Sequence, residues 1–296
     1  MIRANDQMRK MAQREVAICR ELAAHDPQCR KHCILMLASL EHKNHVVMVF
    51  ESMQMNLRET LKKFGRRVGI NVRAVRTYAH QLFVALRHLA ARRVIHADIK
   101  PDNILVSQGF GCLKLADFGS AFHETDSDLD PTPYLVSRWY RAPEIILGLE
   151  YDRAIDTWSV AATLYELYMG ASLFPGRDNN DMLAKMMELK GAFPPRMVKQ
   201  HLRQFDKVAG LRPHFAEDLQ FMLQEPDPIT GKAKVRMTTP TAPTKTMRQL
   251  LLGGPHSSGE DRETVLHLAD FLEKCLALDP KRRLTVADAF EHPFIK

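Results

Sequence analysis

From Val72 onward, apolar side chains fall at Val75, Ala79, Leu82, Leu86 and Leu89, every third or fourth position. That spacing follows the 3.6-residue turn of an α-helix and places one apolar stripe on a single face, which predicts a long amphipathic helix. AIDTWSVAATLYELYMG (154–170) is apolar almost all round, the pattern of a helix buried on every side. Met8 to Leu22 carries Met8, Met11, Val16, Ala17 and Leu22 along a further helix. DMLAKMMELKG (181–191), TVLHLADFLEKCLAL (264–278) and TVADAFEHPFI (285–295) read as helices too. A different rhythm occupies CILMLASL (33–40) and HVVMVFE (45–51), short β-rich runs parted by the polar EHKN, and predicts a hairpin of buried strands. NILV (103–106) and CLKLAD (112–117) bracket the turn SQGFG as two more short strands. Asn56 is placed to cap LRETLKKF (57–64) and Gly65 to stop it. Residues 192–262 are less regular: PDPITGK (226–232), TTPTAPTKT (238–246) and GGPHSSGED (253–261) are loop-forming, so this segment reads as an insertion packed on the surface.

The chain thus runs from a small β-containing start, through a candidate hinge ESMQM (51–55), into a large helical remainder. With 296 residues, 45% of them hydrophobic, it can bury a sizeable core as one large or two-lobed domain. The net charge of +7 suits acidic or phosphorylated partners, but the basic residues form no run of five or six and no nucleic-acid motif is present. Direct nucleic-acid binding is therefore not expected. Five cysteines (19, 29, 33, 112 and 275) contain no CxxC pair. Cys29, His32 and Cys33 lie together without a second ligand cluster, which points to reduced thiols rather than to zinc. No signal-like segment opens the chain and no apolar run approaches the ~18 residues needed to cross a bilayer, so a soluble intracellular protein is expected.

Three separated strings carry the chemistry: HADIKPDN (96–103), DFG (117–119) and APE (142–144). Singly, Asp98, Asp102, Asn103 and Asp117 read more readily as turn residues. In this order, each in its strand or loop setting, the strings resemble the signature set of the eukaryotic protein kinases, and the resemblance extends from residue 1 to the end. It implies an α+β, two-lobed fold: a partial small β lobe with the hinge at 1–53, and a mainly helical large lobe at 54–296 with an insert at about 192–262. It also implies ATP and Mg²⁺ as cofactors. Asp98 would then be the catalytic base and Lys100 the neutraliser of the transferring phosphate, while Asn103 and Asp117 would be the metal ligands. Leu105 would lie beneath the adenine, Glu51 and Met53 would offer hinge backbone groups to its edge, and Glu15 would pair with a strand lysine. His96, Asp156 and the pair Glu144–Arg283 would be supports. A lysine at position 100 is similar to serine/threonine rather than tyrosine kinases.

TPYLVSRWYRAPE (132–144) narrows the resemblance to the CMGC group. There Tyr134 would be an activating phosphorylation position, with Arg138 and Arg141 clamping its phosphate and Ser137 bonding near Asp98. MNLRE, HADIKPDNILV and LKLADFGSA together look like the pre-mRNA-processing kinases related to the dual-specificity tyrosine-regulated kinases, in which Ala97 is at home. By that resemblance the protein is a monomer in the nucleus, or otherwise the cytoplasm, that phosphorylates proteins such as arginine/serine-rich splicing factors. One departure is plain. The first glycine is Gly65 and Lys10 is the one lysine before Glu15, so no glycine-rich loop or strand lysine precedes Glu15. The expectation is an N-terminally incomplete kinase domain, with a catalytically impaired scaffold as the alternative.

Overall fold

The computed structural model describes residues 6–296 apart from 66, 127–131, 227–232, 240–241 and 256–260. Parts of the three loop-forming stretches in 192–262 lie outside the described residues. The first helix, α1 (Asp6–Ala24), buries Ala12, Val16, Ile18, Cys19 and Leu22. Met8 and Met11, assigned to its apolar face from spacing, are exposed instead, because the stripe that meets the core is rotated toward Ala12 and Cys19.

Strands β1 (Met36–His42) and β2 (His45–Phe50) pair antiparallel, with Leu40 opposite Val47 and His42 opposite His45. Lys43 and Asn44 both take positive φ, 48° and 61°, as a two-residue hairpin turn requires if its twist is to match the strands. These strands are not the buried pair the pattern predicted. Leu37 and Leu40 are 61% and 50% exposed, because a two-stranded ribbon packed on α1 covers only part of its surface.

A three-stranded antiparallel sheet then joins the hinge to the catalytic region: β3 (Met55–Asn56), β5 (Ile104–Val106) and β6 (Leu113–Leu115), with β5 in the middle. Asn56 caps the short α2 (Leu57–Thr60) in a reciprocal box with Glu59, and the chain continues through a wide turn to Gly65. Helix α3 (Val72–Ala90), capped by Asn71, buries all five residues of its predicted stripe. Strands β4 (Val94–Ile95) and β7 (Phe122–His123) pair across the base of the catalytic loop.

The large lobe continues with α4 (Pro143–Ile146), the buried α5 (Ala154–Met169) and α6 (Asn179–Lys190). The segment 192–262 is more regular than its composition suggests. It holds α7 (Pro195–Gln204), the hairpin β8 (Phe221–Pro226) and β9 (Ala233–Thr238), and α8 (Met247–Leu252). Phe193, Met197, Phe215, Phe221, Met247 and Leu251 drive it into the common core, which composition does not reveal. Helices α9 (Arg262–Cys275) and α10 (Val286–Ala289) finish the lobe. No described helix is long and apolar enough to cross a membrane.

Glu144 and Arg283 meet inside this core with fully buried side chains, through bonds of 2.6 and 2.9 Å. Arg283 also donates to the carbonyls of Ala154 and Ala277 and lies over the Trp158 ring, so every charged edge is satisfied. Removing one partner of such a pair strands the other charge in an apolar interior. Arg283→Ala should therefore lose about 3–5 kcal/mol of stability, read as the shift in the urea unfolding midpoint.

Candidate active site

The catalytic loop is fixed from below by α5. Asp156, in the first turn of that helix and fully buried, accepts the backbone N–H groups of His96 at 2.8 Å and Ala97 at 3.0 Å. Burial pushes its carboxyl up to about 7, against the pull of those two amides. Ala97 is held at φ 60°, a left-handed conformation that costs a residue with a Cβ roughly 1–2 kcal/mol. Its side chain is wholly enclosed. His96 Nδ1 accepts the Asp98 N–H at 3.2 Å, so Nε2 carries the proton and donates it to the Ala116 carbonyl at 3.0 Å. Burial holds this imidazole below its ordinary pKa, which keeps it neutral while it ties the loop to the 116–119 segment.

The turn so fixed presents Asp98 to four donors. Ser137 reaches Oδ1 through its hydroxyl at 2.7 Å and its N–H at 3.2 Å. Lys100 Nζ and Asn103 Nδ2 reach Oδ2 at 2.7 and 3.0 Å. Burial alone would raise the Asp98 pKa, but the bonds from Lys100 and Ser137 outweigh it and leave the carboxyl below its usual range. Lys100 also donates to the Ser137 hydroxyl at 2.9 Å, closing the triangle.

Asn103 turns its amide nitrogen to Asp98, which leaves the amide oxygen for another partner. Its carbonyl accepts the Ala116 N–H at 2.9 Å, which brings Asn103 beside Asp117. Asp117, at φ 63°, is exposed and caps Gly119 with Oδ1. Two hard oxygens at one edge form a donor set suited to Mg²⁺, which takes few protein ligands and completes its shell with phosphate and water. Among the described residues no group of three or more His, Cys, Asp or Glu could hold a metal. Glu15 stands next to Gly119: a Cβ built there would lie 3.5 Å from its Oε2. Burial, with the charge of Asp117 adding to it, raises Glu15 to about 7.

On the opposite side, Glu51, Met53 and Leu105 are brought together. Glu51 bonds Lys114 Nζ at 2.6 Å and the Leu35 N–H at 2.8 Å through its carboxylate, and its own N–H goes to the Leu35 carbonyl. Of its two backbone groups, a ligand could therefore use only the carbonyl. Leu105 is half-buried while its neighbours Ile104 and Val106 are fully enclosed, so it faces away from the core they fill. Met53, also half-buried, packs against the core margin.

Tyr134 is 61% exposed, with its hydroxyl 3.5 Å from the Gly210 carbonyl. Arg141 is buried and engaged by the carbonyls of Tyr134, Leu135 and Val136 and by Asn179 Oδ1, so its guanidinium braces the loop that carries Tyr134. Arg138 is exposed and shares a cavity of about 310 Å³ with Tyr134 and Arg212. Sequence reasoning missed one further cluster, Arg58, Asp102, Tyr140 and Glu166; Tyr140 and Glu166 lie 82 and 108 positions from Arg58, beyond any local pattern.

The raised pKa of Asp156 fixes a pH signature. Its folded value, about 7, lies above the carboxylate's value in an unfolded chain, so its contribution to stability is complete below about pH 4 and is lost as pH rises toward 7. Asp156→Asn has no such titration and leaves one backbone amide without its acceptor, at about 1–3 kcal/mol. The parent should exceed the variant in stability by more at pH 5 than at pH 8, as measured by urea unfolding at both.

Residues 2–295 match the protein kinase domain family. The chain is 47% identical over 99% of its length to the serine/threonine-protein kinase prp4 of Schizosaccharomyces pombe, and covers 60% of that protein. It is 42% identical over its whole length to serine/threonine-protein kinase prpf4B of Dictyostelium discoideum, covering 36% of it. To the human dual specificity tyrosine-phosphorylation-regulated kinase 3 it is 36% identical, again over its whole length, covering 48%. The chain thus spans between about a third and three fifths of these curated relatives. Loop, metal-side oxygens and buried ion pair, taken with the match over nearly the whole chain, make it a member of the protein kinase family.

Proposed function

We propose that this domain is an ATP-dependent protein serine/threonine kinase. The observation that carries the reading is the Asp98 junction: one carboxylate, held by Ser137 on one oxygen and by Lys100 and Asn103 on the other, beside the free oxygens of Asn103 and Asp117. ATP with its divalent cation supplies the phosphoryl group and most of the charge neutralisation. Asn103 and Asp117 would hold the cation, and Leu105, Met53 and the Glu51 carbonyl would line the adenine. Asp98, ionised at neutral pH, can receive a hydroxyl in place of the Ser137 hydroxyl. A carboxylate this weakly basic orients the nucleophile more than it strips its proton, and accepts the proton late. Lys100 already lies 2.7 Å from Asp98 and 2.9 Å from Ser137, placed to follow negative charge from carboxylate to transferred group.

Proteins are the proposed substrates, serine or threonine the acceptors, and arginine/serine-rich splicing factors in the nucleus the proposed setting. Support comes from the likeness to prp4 and prpf4B, both named serine/threonine-protein kinases. Tyr134 is the proposed regulatory phosphorylation position, its phosphate received by Arg138. In the full-length protein carrying this domain, Asp98→Asn should lower Mg-ATP-dependent phosphorylation of a serine substrate by about 10²–10⁴-fold with the thermal midpoint little changed. Equal rates from parent and variant would remove the reading.

A further inference from the structure

Helix α7 has two unlike faces. Met197, Val198 and His201 are buried, while Arg196, Lys199 and Arg203 are exposed, followed by the exposed Lys207 in the next turn. At about 100° per residue, the three helical cations fall within roughly 60° of one another. Among the described residues none of the four enters an ion pair. Asp206 is the one acidic residue between Pro195 and Lys207, so this face keeps a net positive charge.

The row of cations leads into a cavity. Beyond Lys207 the chain reaches Gly210 and Arg212, which line the space of about 310 Å³ shared with Tyr134 and Arg138. Among the described residues neither Arg212 nor Arg138 has a partner for its guanidinium. His214 forms part of the wall and is 5% exposed. Its Nδ1 accepts the Asn180 amide at 3.2 Å, so Nε2 carries the proton, and no described residue receives it. Burial, with His201 stacked beside it, lowers this imidazole to about 3, which makes it a neutral donor. His201, from the buried face of α7, accepts the His214 N–H at 3.1 Å and so fixes the cavity wall to the helix. The cavity also adjoins the catalytic loop, because Arg138 follows Ser137, whose hydroxyl lies 2.7 Å from Asp98.

We infer that the outer face of α7 and this cavity form one docking surface for a phosphoserine-bearing segment of the protein substrate, so that a substrate is recognised by phosphates it already carries. Its role in substrate choice rests on the kinase reading above. Unpaired cations on a surface call for a partner of opposite sign, and the net charge of +7 leaves them uncompensated at longer range. Arg196, Lys199 and Arg203 are spaced by about 4.5 and 6 Å along the helix axis. Alternate residues of an extended peptide are about 7 Å apart, so phosphates on one side of such a strand can meet them in turn. In the cavity, guanidinium forks and a neutral imidazole N–H offer more donors than a carboxylate would use, which favours a phosphate dianion. A nucleic acid fits less well: no exposed aromatic ring lies between Pro195 and Lys207 on which a base could stack.

The test uses the full-length protein and a fluorescein-labelled serine-rich peptide with phosphoserine at alternate positions, beside its unphosphorylated form and a form with glutamate at those positions. Fluorescence anisotropy should show saturable binding of the phosphopeptide that weakens as salt rises, and binding of the unphosphorylated form weaker by about tenfold or more. Arg196→Glu, Lys199→Glu and Arg203→Glu together should weaken phosphopeptide binding by about tenfold or more, the scale of a close charge pair. The same three positions changed to glutamine serve if the glutamate form does not fold. Arg212→Gln should weaken the phosphopeptide while leaving the glutamate peptide nearly unchanged. In kinetics with a substrate carrying the phosphorylated segment beside its acceptor serine, the triple variant should raise KM about tenfold with kcat unchanged. A short unphosphorylated serine peptide should show no such change. A folded triple variant that binds the phosphopeptide as the parent does overturns the inference, as does equal binding of the phosphorylated and unphosphorylated peptides. So does a single-stranded RNA that binds the parent more tightly than the phosphopeptide and is lost from the triple variant. If the parent phosphorylates none of the peptides, the kinase reading fails, and the anisotropy arm still decides whether α7 docks a phosphorylated segment.

Discussion

The active site depends on a carboxylate that touches no substrate. Asp156 takes two backbone amides from the catalytic loop, and those two bonds hold Ala97 in a conformation that an alanine avoids when free. Relax that residue and the next side chain, Asp98, swings out of reach of Ser137, Lys100 and Asn103. The strain is local and small, and the buried helix α5 that opposes it is large. This is why the site can be built on a loop and still be stiff: the loop borrows its rigidity from a helix packed on all sides.

The charges around the loop divide into two kinds. Glu144, Arg283, Arg58 and Glu166 are matched by partners of opposite sign and serve as rivets. Asp98 has one cation, Lys100, for its carboxylate, and Asp117 lies close enough to the buried Glu15 to help raise its carboxyl to about 7. Carboxylate oxygens are thus least compensated beside the groups proposed to hold a divalent cation, and are matched elsewhere. Ala97 fits this division. Its enclosed methyl group contributes no charge to the loop, whereas Arg138, further along the chain, is exposed beside Tyr134.

Much of this could be read from the residues in order. Periodicity located α3 and α5 because a helix that buries one face, or all faces, must repeat its apolar residues. Asn56 marked the start of α2 because backbone groups at a helix N-terminus need a side-chain acceptor, but the helix gives way to a wide turn after Thr60, before Gly65. The catalytic strings were legible because phosphoryl transfer constrains residue types at fixed short spacings. What escaped was whatever depended on distant partners. Leu37 and Leu40 belong to a run as apolar as a buried strand, but exposure depends on what lies across from them. Residues 192–262 look loop-like because their anchors, Phe193, Phe215 and Phe221, are scattered among turn formers. Arg141 could be placed beside Tyr134 from spacing, but its three carbonyl partners follow from the path of the backbone, which spacing does not encode. Arg58 required three elements to converge.

The buried pair at the base of the large lobe carries a further consequence for synthesis. Glu144 and Arg283 are 139 positions apart, so at ordinary elongation speeds of about 5–20 residues per second, roughly 7–28 s separate their emergence from the ribosome. Through that interval Glu144 has no cation to enter the core with, and closing the lobe around it would bury a lone charge. Collapse of the lobe around Glu144 is thus disfavoured in the nascent chain until Arg283 has emerged.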